Sequence, residues 1–241
     1  MSKEKHRFFA PPGAFSGDVV ILSEDESRHA RKVLRVQAGD AITVVDGQGG
    51  TYLVEVTDAG RAVSGRAVEK TLDEGEPSVG LHVALGTLHQ PARWETFLEK
   101  AVELGCTRIT PLMTERTQSS RLKMRRLEHI VVSALKQSGR SRLPVLDEPM
   151  ALEDVLVQGQ ANRIICHEAT PDARRLDEVM GSLKGDGGMS VLIGPEGGFS
   201  DDEVALANGN GWETVWLGPR RLRAETAAMA VAAAVSQFRR D

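Results

Sequence analysis

Val191-Leu192-Ile193-Gly194-Pro195-Glu196-Gly197-Gly198, answered by Val215-Trp216-Leu217-Gly218-Pro219-Arg220, decides the fold class of this chain. Each stretch begins as an apolar strand, breaks at Gly-Pro and runs on into a helical pattern. Glycine at a strand end leaves bare backbone that a ligand can approach closely. The second loop carries Arg220, Arg221 and Arg223, then Glu225-Thr226 and a small-residue helix over 227–234. A cofactor cleft edged by guanidinium groups suits an enzyme acting on a polyanion.

Working back from these loops, strands alternate with helices as far as Ser78. Strands are expected at 81–85, 108–112, 163–166, 190–193 and 214–217. A helix over 91–104 starts at Pro91 and stops at Gly105, and another spans about 123–137. Ser200-Asp201-Asp202-Glu203 is a capping box opening a helix after the first glycine loop. This alternation predicts an α/β domain with a mostly parallel sheet covered on both faces. Before about residue 75 short strands dominate, at 19–22, 41–45, 51–56 and 62–68, with a hairpin signal at Asp46-Gly47. Ser23-Glu24-Asp25-Glu26 opens a short basic helix to about Arg35. The acidic stretch 71–77 reads as a linker, giving a small β-rich domain over 1–73 and an α/β domain over 78–241.

Hydrophobic content of 41% with 27% charged residues describes a globular chain. No apolar run approaches the roughly 20 residues that span a bilayer, and residues 1–6 lack the apolar core of a signal peptide. Cys106 and Cys166 make no disulfide framework, so a reduced, cytoplasmic setting is expected. The net charge of −4 hides local clusters. Arg28, Arg31, Lys32 and Arg35 form one; Arg116, Arg121, Lys123, Arg125, Arg126, Lys136, Arg140 and Arg142 form another, in which only Glu128 offsets the span 121–142. Each cluster is a solvated helix face or an RNA-phosphate contact.

Residues 194–198 lack the Lys-Ser/Thr pair of a P-loop and the Gly-x-Gly-x-x-Gly of a dinucleotide fold. Asp201 and Asp202 at the next helix start would repel a phosphate. A ligand held through backbone groups, such as a phosphate-free adenosine, fits better; a tight turn that merely needs glycine is the plain alternative. Cys166-His167-Glu168 is adjacent rather than spaced for a metal, and no metal is expected. No Gly-x-Ser-x-Gly elbow occurs. Trp94, Trp212 and Trp216 lie in apolar patterns and read as core.

The string 192–199 together with 217–227 closely resembles the RsmE-type small-subunit rRNA uridine-N3 methyltransferases of the SPOUT superfamily. The resemblance extends to Lys100-Ala101-Val102-Glu103-Leu104-Gly105, to the stretch 137–144 and to 28–35, so it covers essentially the whole chain. It implies an N-terminal PUA-like β-barrel, a C-terminal domain with a trefoil knot, a homodimer and S-adenosylmethionine as methyl donor. The donor loops then map to Ile193, Gly194, Glu196, Gly197 and Gly198, and to Leu217, Gly218, Leu222, Arg223 and Thr226. The chain departs from the pattern at Gln90-Pro91, where relatives often carry a cation followed by Gly, at Ala224, commonly Thr, and at Arg221, commonly aliphatic.

The implied substrate is 16S rRNA of the small ribosomal subunit. Uridine N3 must lose its proton before it attacks a methyl group, so negative charge on O2 and O4 needs stabilising. Arg223 is the expected stabiliser, with Glu196 and Glu225 orienting it, accepting a proton or bracing the loops. Arg28, Arg31, Arg35, Arg140, Arg142 and Arg220 are the expected RNA contacts. Ribose 2′-O-methylation within the same superfamily, and a non-catalytic RNA-binding assembly factor, are the competing readings.

Overall fold

The computed structural model of the chain describes residues 6–117, 122–168, 173–182 and 187–238; Arg121 of the second basic cluster lies outside them. The chain divides into two compact units, Met1–Glu76 with Val132–Leu143, and Pro77–Val131 with Pro144–Asp241.

The first unit contains β1 (Arg7–Phe9), β2 (Phe15–Ser16), β3 (Val19–Ile21), α1 (Glu24–Lys32), β4 (Ala41–Val45), β5 (Gly50–Asp58) and β6 (Ser64–Leu72). They form one sheet in the order β1-β4-β5-β6-β3-β2, antiparallel except where β1 meets β4. Phe8, Val20, Val44, Val54 and Val63 fill its core, with Ala30 of α1 packed among them. The Ser23 hydroxyl caps α1 by accepting from Glu26 N–H. The hairpin at Asp46-Gly47 closes around the Asp46 carboxylate, which accepts from Gln48 N–H (2.7 Å), Gly50 N–H (2.8 Å) and the Tyr52 hydroxyl (3.1 Å).

The expected linker is not a free tether. β6 continues to Leu72, and three acids beyond it are each held by an arginine. Asp73 pairs with Arg142 (2.6 Å), Glu74 with Arg7 (2.8 Å) and Glu76 with Arg140 (2.8 Å). The other Glu76 oxygen accepts from the backbone N–H groups of Ser141 and Arg142, both at 2.8 Å. An acidic composition that reads as solvated is neutralised here by cations far away in sequence.

The second unit and the helix shared with the first run through β7 (Leu81–Gly86), α2 (Pro91–Glu103), β8 (Arg108–Met113), α3 (Met124–Ser138), β9 (Val145–Leu146), β10 (Met150–Ala151), α4 (Leu152–Leu156), β11 (Asn162–Cys166), β12 (Arg174–Arg175), α5 (Leu176–Gly181), β13 (Met189–Ile193), α6 (Asp201–Gly209), β14 (Glu213–Trp216) and α7 (Ala224–Phe238). The helix stop read at Gly105 is a Schellman motif: Gly105, at φ +83°, donates to Val102 O and Cys106 donates to Ala101 O. The capping box at Ser200 forms in both directions with Glu203. Every pairing in the sheet is parallel, in the order β10-β8-β7-β13-β11-β14-β12, with β9 beside β8. β7 and β13 are buried at every residue, as central strands covered on both faces must be. Trp94 and Trp212 are core residues, whereas Trp216 is half-buried. No helix among the described residues is long and apolar enough to cross a membrane.

A polar line crosses this otherwise apolar sheet. The Thr110 hydroxyl donates to Asp147, so its lone pair accepts from His82 Nε2–H (2.8 Å), and Nδ1 faces the Ser190 hydroxyl at 3.5 Å. The pairing suits a neutral imidazole. Burial, reinforced by the Arg108 charge and opposed by Asp147, pushes His82 down from 6.5 to about 4. The unfolded chain therefore binds this proton more readily than the folded one. Stability is fully present above about pH 6.5 and declines as pH falls through the interval down to about 4, by about 3 kcal/mol. Urea titrations between pH 7 and pH 4 should show this slope, and H82Q should flatten that part of it; an unchanged slope in H82Q would assign the acid sensitivity to other groups.

Candidate active site

In a parallel α/β sheet, ligands bind beyond the carboxyl ends of the strands where connections leave in opposite directions. Here that point lies beside β7: β8 and β10 extend on one side, and β13, β11 and β14 on the other. Three loops gather at these strand ends, 87–90 after β7, 194–200 after β13 and 217–223 after β14. α7 then returns to pack on β7, β13 and α2. Its buried stripe of Ala224, Ala227, Ala228, Val231, Ala232 and Val235 has helical spacing, and small side chains permit the close approach.

The first glycine loop is shaped by its own backbone. A Cβ on Gly86 would lie 2.3 Å from Pro195 N, and one on Gly194 would lie 2.9 Å from the Gly198 carbonyl carbon. Arg116 fastens the outer side, donating from Nη1 to Gly197 O (3.0 Å) and Phe199 O (3.1 Å). Ile193 and Gly194 are buried, while residues 196–198 of the loop reach the surface. Glu203 adds a second tie, accepting from Glu115 N–H (2.8 Å). Gly198 (φ +69°) and Gly218 (φ +109°) differ: a Cβ on either would meet open space, so glycine is needed there for conformation.

The two glutamates flanking these loops are not joined to Arg223. Arg93, in the first turn of α2, takes both. Its Nε (2.8 Å) and Nη2 (2.5 Å) grip Glu225 as a fork, and its Nη1 reaches Glu196 Oε1 at 3.0 Å. Glu196 also accepts from His89 N–H at 3.2 Å. Burial alone would raise the Glu225 carboxyl, but hydrogen bonds from Arg93 and from backbone N–H groups, with the charges of Arg93 and Arg223, hold it below its ordinary value. It therefore remains a carboxylate near neutral pH and is a poor proton acceptor.

The expected RNA contacts separate into distinct groups. Arg140 is 2% exposed and committed to Glu76, so it does not face a polyanion; its expected role is corrected to that of an internal strut. Arg142 keeps a half-exposed side chain beside Asp73. Arg28 is exposed and pairs with Asp25 (2.9 Å), and Arg31 is half-buried with Nε on Ser27 O. Arg35 is exposed at φ +55°, an uncommon conformation for a side chain of this size. Arg220, Arg221 and Arg223 are all exposed, and no hydrogen bond or ion pair among the described residues holds their guanidiniums. In the second cluster Arg126 forks onto Glu95 and Lys136 pairs with Glu26, while Arg116, Lys123, Arg125, Arg126 and Arg142 remain exposed.

A family model described as the RNA methyltransferase domain matches residues 75–236, and one described as the RNA methyltransferase PUA domain matches 22–62. The chain belongs to the RNA methyltransferase family. Ribosomal RNA small subunit methyltransferase E of Mycobacterium bovis is 30% identical over 235 residues, 91% of this chain and 87% of that protein. A putative methyltransferase from Legionella pneumophila, solved with S-adenosylmethionine bound, is 29% identical with a TM-score of 0.85 over 98% of each chain. Ribosomal RNA small subunit methyltransferase E of Neisseria gonorrhoeae, also bound to S-adenosylmethionine, is 28% identical with a TM-score of 0.81, covering 97% of this chain and 98% of that one. The PUA domain with its small sheet followed by a parallel α/β domain is the architecture the sequence implied.

Within this family frame the loops offer backbone groups and carboxylates, and Asp201 and Asp202 stand exposed in the first turn of α6. That donor set fits a phosphate-free, positively charged ligand better than a nucleotide. Burial pushes the Cys166 thiol, at the end of β11, up to about 12, so it supplies no thiolate nucleophile. Sequence reading missed Arg93. Its local signal was a cation in a helix's first turn with no acid in that turn to balance it.

Proposed function

We propose that this chain transfers a methyl group from S-adenosylmethionine to N3 of a uridine in 16S rRNA of the small ribosomal subunit. It does so in the cytoplasm, as a homodimer, with residues 1–73 as the RNA-binding module and 78–241 as the catalytic domain. The observation that carries the reading is the meeting of two glycine loops and two fixed carboxylates at a sheet switch point, with neither a P-loop nor a dinucleotide fingerprint in residues 194–198. The relatives' names supply the substrate class, and the resemblance of 217–227 supplies the uridine-N3 specificity. The return of α7 from β14 to β7 is the path that a trefoil knot would need.

Bound S-adenosylmethionine would supply an electrophilic methyl group on a sulfonium sulfur. Ile193, Gly194, Gly197, Gly198, Leu217, Gly218, Leu222 and Thr226 would hold it, mainly through backbone N–H and C=O groups. Glu196 and Glu225 brace the loops rather than take the proton. The uridine N3–H proton would leave to solvent, N3 would take the methyl group as the sulfonium S–C bond breaks and leaves a neutral thioether, and Arg223 would stabilise the negative charge shared by O2 and O4. Arg35, Arg142 and Arg220 contact phosphates and fix register.

N3 methylation blocks Watson–Crick pairing, so primer extension is the deciding measurement. Small subunits from a strain lacking the enzyme should gain one reverse-transcriptase stop, at a uridine, after incubation with the protein and S-adenosylmethionine. Methylation without a stop would favour a ribose 2′-hydroxyl. The absence of heat when S-adenosylmethionine is titrated into the protein would leave a non-catalytic RNA-binding factor.

A further inference from the structure

We infer that Arg93 is a positioning residue of the donor site: by holding Glu196 and Glu225 together, its guanidinium fixes the two glycine loops at a set separation. The inference rests on the methyl-transfer reading of that site and adds a residue to it.

The two loops need an external tie. β13 and β14 are not neighbours: both pair with β11, which sets their strand ends two strand spacings apart, but no pairing joins the loops that leave them. The first loop packs on the end of β7 at Gly86, but Gly198 and Gly218 face open space where a Cβ would project, so no packing at these two glycines joins one glycine loop to the other. Arg93 joins them directly. Glu196 lies within the first loop, and Glu225 lies two residues beyond the second, in the first turn of α7. Through Glu196, the same guanidinium also tethers the loop after β7, whose His89 N–H donates to that carboxylate. One planar group thus organises all three loops at the strand ends.

Its placement argues for a purpose beyond helix packing. A cation in the first turn of a helix opposes the macrodipole, and α2 carries no acid there to compensate. The compensating charges come from Glu196 and Glu225, at sequence separations of 103 and 132. The fork onto Glu225 uses two parallel N–H donors, a geometry that lysine cannot reproduce. Glu225 itself is 8% exposed, so its carboxylate depends on the guanidinium. A simple staple between α2 and α7 would need only the Glu225 fork; the third donor, reaching Glu196, acts on the loop.

The test is calorimetric titration of the full-length protein with S-adenosylmethionine for wild type, R93Q, R93K and E196Q, with each variant's melting temperature. R93Q should weaken binding about tenfold or more, the range for a lost charge-assisted hydrogen bond. R93K should fall between R93Q and wild type. Wild-type affinity should be nearly flat between pH 8 and pH 6. In R93Q the loss should grow as the pH falls further toward the ordinary carboxylate range, because Glu225 without its guanidinium is more readily protonated. A purely structural staple would lower the melting temperature and leave the dissociation constant and its pH profile unchanged; that result overturns the inference while the methyl-transfer reading stands. If R93Q does not fold, E196Q decides, since its side chain is 35% exposed: wild-type affinity in E196Q overturns the inference. Wild-type protein that binds no S-adenosylmethionine overturns both.

Discussion

Arg140→Met is expected to destabilise the protein by about 3–5 kcal/mol, because it strands a buried carboxylate. Arg140 and Glu76 have side-chain exposures of 3% and 8%, and their contact joins two segments of the first unit that lie 64 residues apart. Among the described residues Glu76 would keep the N–H groups of Ser141 and Arg142, which cannot replace a full positive charge. Removing both partners, as in R140M with E76L, should recover much of the loss, since apolar groups of similar volume can replace a buried pair. Arg142→Ala is the contrasting case. Its pair with Asp73 is half-exposed, so the stability change should stay below about 1 kcal/mol, while RNA affinity and its salt dependence both fall. Urea midpoints and RNA titrations at several salt concentrations separate these effects. A stable R140M with weakened RNA binding would return Arg140 to the RNA surface.

That pair marks the boundary of what the sequence makes legible. Signals written within a few residues are borne out. Gly105 ends α2 in a left-handed turn, Ser200 and Glu203 cap α6, and alternating strands and helices give a wholly parallel sheet. β9, β10 and β12 have two residues each, too few to show a period, and α4 and α5 are hardly longer than one turn. Charge was the poorest guide, for a definite reason. A basic run is judged by its neighbours along the chain, yet Arg126, Lys136, Arg140 and Arg142 are neutralised by Glu95, Glu26, Glu76 and Asp73, 31 to 110 residues away. The same blindness hid Arg93, whose two carboxylates were both singled out without it. The arginines near the second loop fared differently: no acid among the described residues pairs with Arg220, Arg221 or Arg223. Their guanidiniums stay available to a substrate.

Arg223→Ala is expected to lower kcat for methyl transfer about 10²–10³-fold, the range for removing one donor that stabilises charge developing in a transition state. The fold should tolerate the change. The Arg223 side chain is exposed, and its structural duty is met by the backbone, since its carbonyl accepts from Ala227 N–H at 2.8 Å in the first turn of α7. Glu225 would lose the weaker of its two cationic influences and keep the Arg93 fork, so the loops should hold their places. Binding of S-adenosylmethionine should therefore be nearly unchanged while turnover collapses, the pattern of an interaction made chiefly in the transition state. Arg223→Lys should restore part of the rate: it returns a positive charge without the planar guanidinium and its several N–H donors. Single-turnover methylation of small subunits at saturating S-adenosylmethionine measures the chemical step directly. Retained turnover in R223A would move the stabilising charge elsewhere on the loop, and Arg220, equally exposed and unpaired among the described residues, would be the next residue to replace.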